Sequence, residues 1–147
     1  MKTDRRLFFK INRVQKVLFK FVEKEVREKL EVTPVQLGVL FYLQNNNGCL
    51  LKDISRELSQ NNSAVTTLVE RMEKNGLLRK QVSETDGRAF QVFSTKKGIE
   101  IAERGLPVIG EFNSKLTDNM SEAELDTIHD FLDKALTRFT KKNKETL

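Results

Sequence analysis

Residues 62–80 read NSAVTTLVERMEKNGLLRK, a stretch that predicts one amphipathic helix followed by a sharp turn. At about 100° per residue, its apolar side chains fall on one face of the helix. They are Val65, Leu68, Val69 and Met72. Gly76 is well placed as the C-terminal cap, because glycine tolerates the left-handed conformation required there. The stretch therefore predicts a helix over about 62–75 that packs on a core.

The opposite face of this helix is short and polar. It carries Ser63, Thr67, Glu70 and Lys74, with Thr66 and Arg71 on its flanks. Small polar side chains at the N-terminal end let a helix approach the major groove of DNA, and the helix dipole favours phosphate at that end. A turn with an N-cap explains one residue among 61–63, but it does not explain a whole polar face. The pattern indicates a recognition helix. On it Glu70 could accept a hydrogen bond from a cytosine amine, but an ordinary i, i+4 surface pair with Lys74 is the favoured interpretation.

The chain after this helix changes to the pattern of a β-hairpin. Residues 77–82 and 89–95 are short and rich in apolar side chains, and they flank Asp86-Gly87, a pair typical of hairpin turns. Arg88 follows the turn, and an arginine on such a wing can enter the minor groove. Asp86 is placed to hold the Arg88 side chain. A turn aspartate beside a solvated arginine is the alternative interpretation.

Five further helices are predicted around this centre. Apolar residues at helical spacing predict a long helix over about 5–30. Capping boxes at Thr33–Gln36 and Ser121–Glu124 open the second helix and the last one. A short helix around 51–58 and a long helix capped by Thr95 complete the order. The fold class is therefore mainly α with a small β-hairpin wing, which is a winged helix-turn-helix.

Charge is unevenly distributed along the chain. Residues 1–29 carry a net charge of +6 and residues 71–97 one of +4, whereas residues 100–137 carry −6. Separate basic and acidic segments favour a polyanion as the partner of the basic faces. On charge alone, a solvated basic surface is an equally good interpretation.

A family resemblance adds to these patterns. Segment 62–80 resembles the recognition helix and first wing strand of MarR-family regulators. Asp86-Gly87-Arg88 through Val92, Thr95 and Gly98 is similar to the family's wing signature, and Ser121-x-x-Glu124-Leu125 fits the opening of its last helix. Ser94 departs from the pattern, since the family usually has an apolar residue at this position.

The resemblance implies a homodimeric, sequence-specific DNA-binding transcriptional regulator, and a repressor rather than an activator. It implies one domain over 1–147, with a winged helix-turn-helix part at 33–98 and a helical dimerisation part at 1–30 and 99–141. The recognition helix would enter the major groove and the wing at 78–95 would meet the minor groove. Two-fold symmetry then predicts a pseudo-palindromic operator in double-stranded DNA with half-sites ~10 bp apart.

Nine residues are the candidates for DNA contact. They are Asn61, Asn62, Ser63, Thr66, Thr67, Arg71, Lys80, Asp86 and Arg88. The resemblance also implies release by a small aromatic or lipophilic effector, for which Phe8, Phe9, Phe41 and Tyr42 are conceivable pocket residues. Core packing is the more frequent role of such side chains.

Two classes of protein fit the sequence poorly. A glycine-rich phosphate loop, a nucleophile elbow and a metal-ligand cluster are all missing from the sequence, so no enzyme, catalytic residue, metal or cofactor is expected. No apolar run approaches the ~18 residues that span a bilayer, and the N-terminus does not resemble a signal peptide. One cysteine, Cys49, cannot form an internal disulfide and is interpreted as a small structural residue. The expected compartment is the cytoplasm, without a membrane partner.

One alternative of a different class remains. The chain could form a helical dimer that binds another protein and has lost DNA binding. The polar helix face and Arg88 argue against this alternative, and loss of all DNA affinity would favour it.

Overall fold

The structure, a computed structural model, describes residues 6–145, with side chains over residues 6–140. The helices are α1 Leu7–Leu30, α2 Pro34–Asn46, α3 Leu51–Leu58, α4 Asn62–Lys74, α5 Lys96–Leu116 and α6 Glu122–Glu145. The strands are β1 Cys49–Leu50, β2 Leu78–Val82 and β3 Phe90–Ser94. The predicted mainly α fold with a hairpin wing is confirmed.

Capping residues set the helix boundaries as the sequence predicts. The Thr33 hydroxyl accepts a hydrogen bond from the Gln36 N–H at 3.2 Å, and the Gln36 side chain accepts one from the Thr33 N–H at 3.0 Å. Gly76 has a φ of 75° at the end of α4, where its N–H donates to the Glu73 carbonyl at 2.9 Å. Glycine occupies this conformation without the steric cost of a Cβ.

The starts of α5 and α6 follow the same rule. The Thr95 hydroxyl accepts from the Gly98 N–H at 3.1 Å and donates to the Gly76 carbonyl at 2.6 Å. Thr95 therefore caps α5 and joins it to the end of α4. The Ser121 hydroxyl accepts from the Glu124 N–H at 3.2 Å, which caps α6.

The wing belongs to a three-stranded antiparallel sheet in the order β1-β3-β2. The sequence analysis did not predict β1, because a two-residue strand is too short to show alternation. Its Cys49 pairs with Val92 of β3. Ser94 stays within β3, since its N–H donates to the Asn47 side chain at 2.9 Å. The sheet therefore has β3 at its centre and β2 at one edge.

The hairpin connection is longer than a two-residue Asp-Gly turn. The Ser83 N–H donates to the Ala89 carbonyl at 2.9 Å and closes the loop, and the Ala89 N–H donates to the Asp86 carbonyl at 3.0 Å. Gly87 does not have a positive φ, so this is not the primed turn that an Asp-Gly pair often forms.

The hydrophobic core lies within the first of two compact units, which ends at Ile109. Its centre holds Leu37 and Leu40 of α2 together with the predicted apolar face of α4. On that face Val65, Val69 and Met72 are fully buried, and Leu68 is half-buried. The second unit begins at Gly110 and contains the rest of α5 and α6. In the part of the chain that is described, no helix is long and apolar enough to cross a membrane.

Candidate nucleic-acid interface

The start of α4 is built around Asn61. Its side-chain oxygen accepts a hydrogen bond from the Ala64 N–H at 2.8 Å and another from the Ser63 hydroxyl at 2.9 Å. Asn61 is therefore the N-cap, and its amide oxygen is occupied by the helix itself. This is the structural role that the sequence predicts for one residue among 61–63.

The surface of α4 divides into three stripes at about 100° per residue. The core stripe is the buried apolar face. A second stripe, which we call the wing stripe, spans about 80° of the helix surface. It consists of Asn62, Thr66, Glu70 and Glu73. A third, the outer stripe, lies beyond it and is entirely exposed to solvent. It consists of Ser63, Thr67, Arg71 and Lys74.

A cleft of about 280 Å³ lies between the start of α4 and the hairpin loop. Four predicted site residues line it, which are Asn62, Thr66, Asp86 and Arg88. Leu50, Leu51, Ala89 and Phe90 supply apolar lining, and Lys52 of α3 adds a second cation. The cleft thus brings together the helix and the wing that the sequence analysis assigned to DNA. Ser63, Thr67 and Arg71 do not line the cleft.

The threonine hydroxyls of α4 donate their protons within the helix. Thr66 donates to the Asn62 carbonyl at 2.8 Å, and Thr67 donates to the Ser63 carbonyl at 3.1 Å. Each hydroxyl oxygen keeps lone pairs for a donor from outside. The exposed Thr67 hydroxyl is therefore suited to accept a hydrogen bond, for example from an amino group at a base edge.

Two cations of β2 lie over aromatic rings of β3. The Arg79 guanidinium is 4.5 Å from the centre of the Phe93 ring, and the Lys80 ammonium is 5.0 Å from the centre of the Phe90 ring. The Lys80 ammonium also lies 3.8 Å from a carboxylate oxygen of Glu70. The predicted Glu70–Lys74 pair is wrong, because folding places the hairpin, and Lys80 with it, beside the wing stripe.

Asp86 contacts Arg88 through the backbone. Its carboxylate accepts a hydrogen bond from the Arg88 N–H at 3.1 Å, whereas the sequence analysis expected it to hold the Arg88 side chain. The Asp86 side chain and its carbonyl together fix the turn from which the exposed Arg88 side chain projects. The residue that positions Arg88 is the predicted one, but the atoms are different.

Part of the chain matches the sequence model of a known protein family. Residues 30–89, which contain α2, α3, α4, β2 and the hairpin loop, match the model of the MarR family. The similarity in sequence to this family lies within that segment. The relatives that match this chain are transcriptional regulators, in agreement with the expectation that it is not an enzyme.

Two relatives show the extent of the similarity in sequence. The transcriptional regulator BilQ of Clostridioides difficile is 28% identical over 85 residues, which cover 58% of this chain and 57% of that protein. The transcriptional repressor IacR of Pseudomonas putida is 27% identical over 106 residues, covering 72% of this chain and 64% of the relative. The matched regions thus span less than two thirds of the length of these two relatives.

Solved structures confirm the MarR fold over nearly the whole chain. The transcriptional regulator SlyA superposes with a TM-score of 0.87 at 17% identity, covering 99% of this chain and all of that one. A MarR-family regulator from Listeria monocytogenes, solved with a 26mer DNA, superposes with a TM-score of 0.85 at 20% identity, covering 97% and 92% of the two chains.

Three residues at the site could not be identified from the sequence alone. They are Lys52, Phe90 and Glu73. Lys52 lies in the predicted short helix, but only the packing of the first turn of α3 beside the cleft distinguishes it from other surface lysines. Phe90 was assigned to a strand, and its position in the cleft depends on which face of the wing meets α4. Glu73 accepts a hydrogen bond from a residue seven positions later, and no local spacing rule predicts a contact across the Gly76 turn.

Proposed function

We propose that this protein is a MarR-family transcriptional repressor that binds a pseudo-palindromic operator as a homodimer. The observation that carries the proposal is the arrangement of α4 and the wing on either side of one cleft. The cleft places the start of α4 and the cation at the wing tip, Arg88, on the same side of the unit. The relative IacR is named as a repressor, and the similar Listeria regulator was solved with DNA.

The outer stripe of α4 is the part we assign to the major groove. Its side chains at the N-terminal end are short and exposed, so the helix backbone can come close to base edges. Ser63 and Thr67 offer hydroxyl groups there, and Arg71 adds a long cation one turn further along. The positive end of the helix dipole attracts a phosphate to the same end of α4.

The wing is assigned to the minor groove. Arg88 projects from a turn held by two hydrogen bonds to Asp86, so its side chain reaches outward from an ordered backbone. The negative potential of a narrow minor groove favours an inserted arginine. Lys52, which also lines the cleft, adds a second cation for a phosphate between the two elements.

Homodimerisation rests on apolar side chains that this single chain leaves exposed. On α1, Phe8 and Phe9 are 73% and 67% exposed, and on α6 Leu136 and Phe139 are 66% and 64% exposed. Exposed clusters of large apolar residues mark interaction surfaces. We assign both surfaces to a second copy of the chain, which gives the two recognition helices the symmetry of a palindrome. Release of DNA by a small aromatic or lipophilic effector belongs to the same proposal.

Selection from a random pool of duplex DNA by the purified protein tests this function. Enrichment of a pseudo-palindrome with half-sites ~10 bp apart would support the dimeric regulator and supply its operator. Retention of DNA without an enriched sequence would indicate binding by charge alone and would contradict sequence-specific regulation. An absence of retention would favour the second candidate, a helical dimer that binds another protein. That candidate depends on the same exposed residues of α1 and α6.

A further inference from the structure

The outer edge of the wing contacts α4 through one backbone group. The Thr95 N–H donates to the Leu77 carbonyl, and the Ser83 N–H donates to the Ala89 carbonyl. In β2, the backbone N–H and C=O groups of odd-numbered residues therefore point towards β3. Lys80 lies opposite Val92 in a non-hydrogen-bonded pair, so its N–H points away from β3. Because β2 is an edge strand, no other strand among the described residues 6–145 accepts from that N–H. The Glu73 carboxylate of α4 accepts it at 2.7 Å.

The Lys80 side chain is held from two sides. Its ammonium lies 3.8 Å from Glu70 and 5.0 Å from the centre of the Phe90 ring. Only 17% of the Lys80 side chain is exposed, compared with 59% of the Glu70 side chain. A cation so enclosed is less accessible to a phosphate than the exposed Arg88.

Glu70 and Glu73 belong to the wing stripe of α4. The other two members of this stripe, Asn62 and Thr66, line the cleft. From its first turn to its last, this side of the helix therefore faces the wing. Carboxylates on a helix that enters a groove of DNA repel the phosphates. Two of them on one stripe therefore indicate a role other than DNA contact. Their partners here are the backbone and the ammonium group of one residue, Lys80.

We propose that Glu73 and Glu70 are positioning residues that fasten β2 to the recognition helix, with Lys80 as their anchor. The helix and the wing then meet DNA as one rigid unit, and the placement of Arg88 depends on Glu73. Sequence readout belongs to the outer stripe, whereas the wing stripe sets the angle of the wing. This proposal rests on the proposed function, because it describes how the same site is held in shape.

A double-mutant cycle on the selected operator tests the dependence of Arg88 on Glu73. We expect Glu73→Ala to weaken binding by about threefold or more, and Arg88→Ala to cost clearly less in the Glu73→Ala background than in the wild type. Glu73→Gln keeps an acceptor oxygen and restores most of the affinity. Glu84→Ala is the matched control, because it removes one exposed wing carboxylate without removing the contact to Lys80. Additive effects of Glu73→Ala and Arg88→Ala would overturn the proposal.

The role of Lys80 is tested by the salt dependence of binding. If Lys80 is an anchor, Lys80→Gln leaves the slope of log K against log salt close to that of the wild type, whereas loss of a phosphate contact lowers it by about one. A reduction by about one for Lys80→Gln would contradict the anchor role.

Hydrogen exchange of the Lys80 amide, measured by NMR on the free protein, separates this proposal from the proposed function. We expect the exchange to be faster in Glu73→Ala than in the wild type and in Glu84→Ala. If the protein does not bind DNA, the function fails, but faster exchange still supports the contact between α4 and the wing. An unchanged exchange rate in Glu73→Ala would overturn the proposal even if DNA binding is intact.

Discussion

Arg88 depends on its immediate neighbours for its position. Its N–H is bound by the Asp86 carboxylate at 3.1 Å, and the next residue closes the turn onto the Asp86 carbonyl. The backbone that carries the guanidinium is therefore ordered before DNA arrives, which reduces the entropy lost on binding. An aspartate can thus improve DNA binding although it carries the charge of the phosphates.

We expect Arg88→Ala to weaken operator binding by about tenfold, because charge-assisted contacts contribute ~1.5–3 kcal/mol. The slope of log K against log salt should fall by about one, since one phosphate contact is lost. A fluorescence anisotropy titration at several salt concentrations measures both quantities. Lys24→Ala on α1 is the control, since it removes an equal charge outside the cleft. Unchanged affinity and slope would remove the wing from the mechanism.

Cys49 illustrates how the environment of one residue limits its chemistry. Burial, assisted by the negative charge of Asp53, raises the pKa of the Cys49 thiol to about 11. The thiol is therefore protonated at neutral pH in the folded chain. Below the ordinary thiol pKa of 9.0, the protonated thiol contributes to the stability of the folded state. This contribution to the free energy of unfolding is lost as the pH rises from 9.0 to about 11. The interpretation of Cys49 as a structural residue agrees with this environment.

Alkylation of Cys49 by iodoacetamide should be slow in the folded protein. At pH 8 the thiolate fraction is about 100-fold lower than for a thiol with the ordinary pKa, and the thiolate is the reactive form. The rate should keep rising up to about pH 11 in the native chain, and the denatured chain provides the control. Equal rates in the two states would show that Cys49 is fully solvated.

The contact between α5 and the residue before β2 joins the helices to the wing. Gly98 lies in the first turn of α5, directly against the Leu77 carbonyl that precedes β2. A Cβ at residue 98 would overlap this backbone oxygen, and it would also press on Leu40 of α2. The glycine therefore allows an approach that a larger residue prevents.

Gly98→Ala should lower the free energy of unfolding by about 2 kcal/mol, because overpacking against backbone forces the elements apart. Urea denaturation followed by circular dichroism measures the change. Gly110→Ala in the same helix is the matched control, since nothing lies within 4 Å of a Cβ at that position. The control should be neutral or more stable by up to about 1 kcal/mol, from helix propensity. Equal stability of the two variants would contradict the close approach at Gly98.

The proposed dimer would bury apolar side chains of the two terminal helices, α1 and α6. Apolar positions Ile128, Leu132, Leu136 and Phe139 share one stripe of α6, and each is more than 40% exposed. Such a stripe loses contact with water only when another surface covers it, and its burial stabilises the assembly. We assign this surface to a second copy of the chain, in agreement with the proposed pseudo-palindromic operator.

Phe139→Glu should shift the protein towards monomers, because a carboxylate then replaces a large apolar side chain within the stripe. Sedimentation velocity measures the mass, and binding to full and half operator sites should become similar for the monomer. Thr137→Glu is the control, because residue 137 lies on the opposite side of α6 at about 100° per residue. A dimer that persists in Phe139→Glu would exclude this stripe from the interface.

Most of the fold could be predicted from the amino-acid sequence, because the deciding signals are local. Capping residues such as Thr33, Asn61 and Thr95, the glycine at 76 and the apolar periodicity of α4 act within one or two turns of chain. These signals placed every helix and both strands of the hairpin within a few residues. They also separated the buried face of α4 from its polar side.

The division of the polar side of α4 into two stripes depends instead on tertiary packing. The pairing of Glu70 with Lys80, the bond from Lys80 to Glu73 and the strand at Cys49 all join residues that local spacing does not relate. Lys52 and Phe90 enter the cleft for the same reason, since their positions depend on how α3 and the wing pack on the core. Local propensity determines which elements form, but contacts between elements depend on the packing of the whole unit.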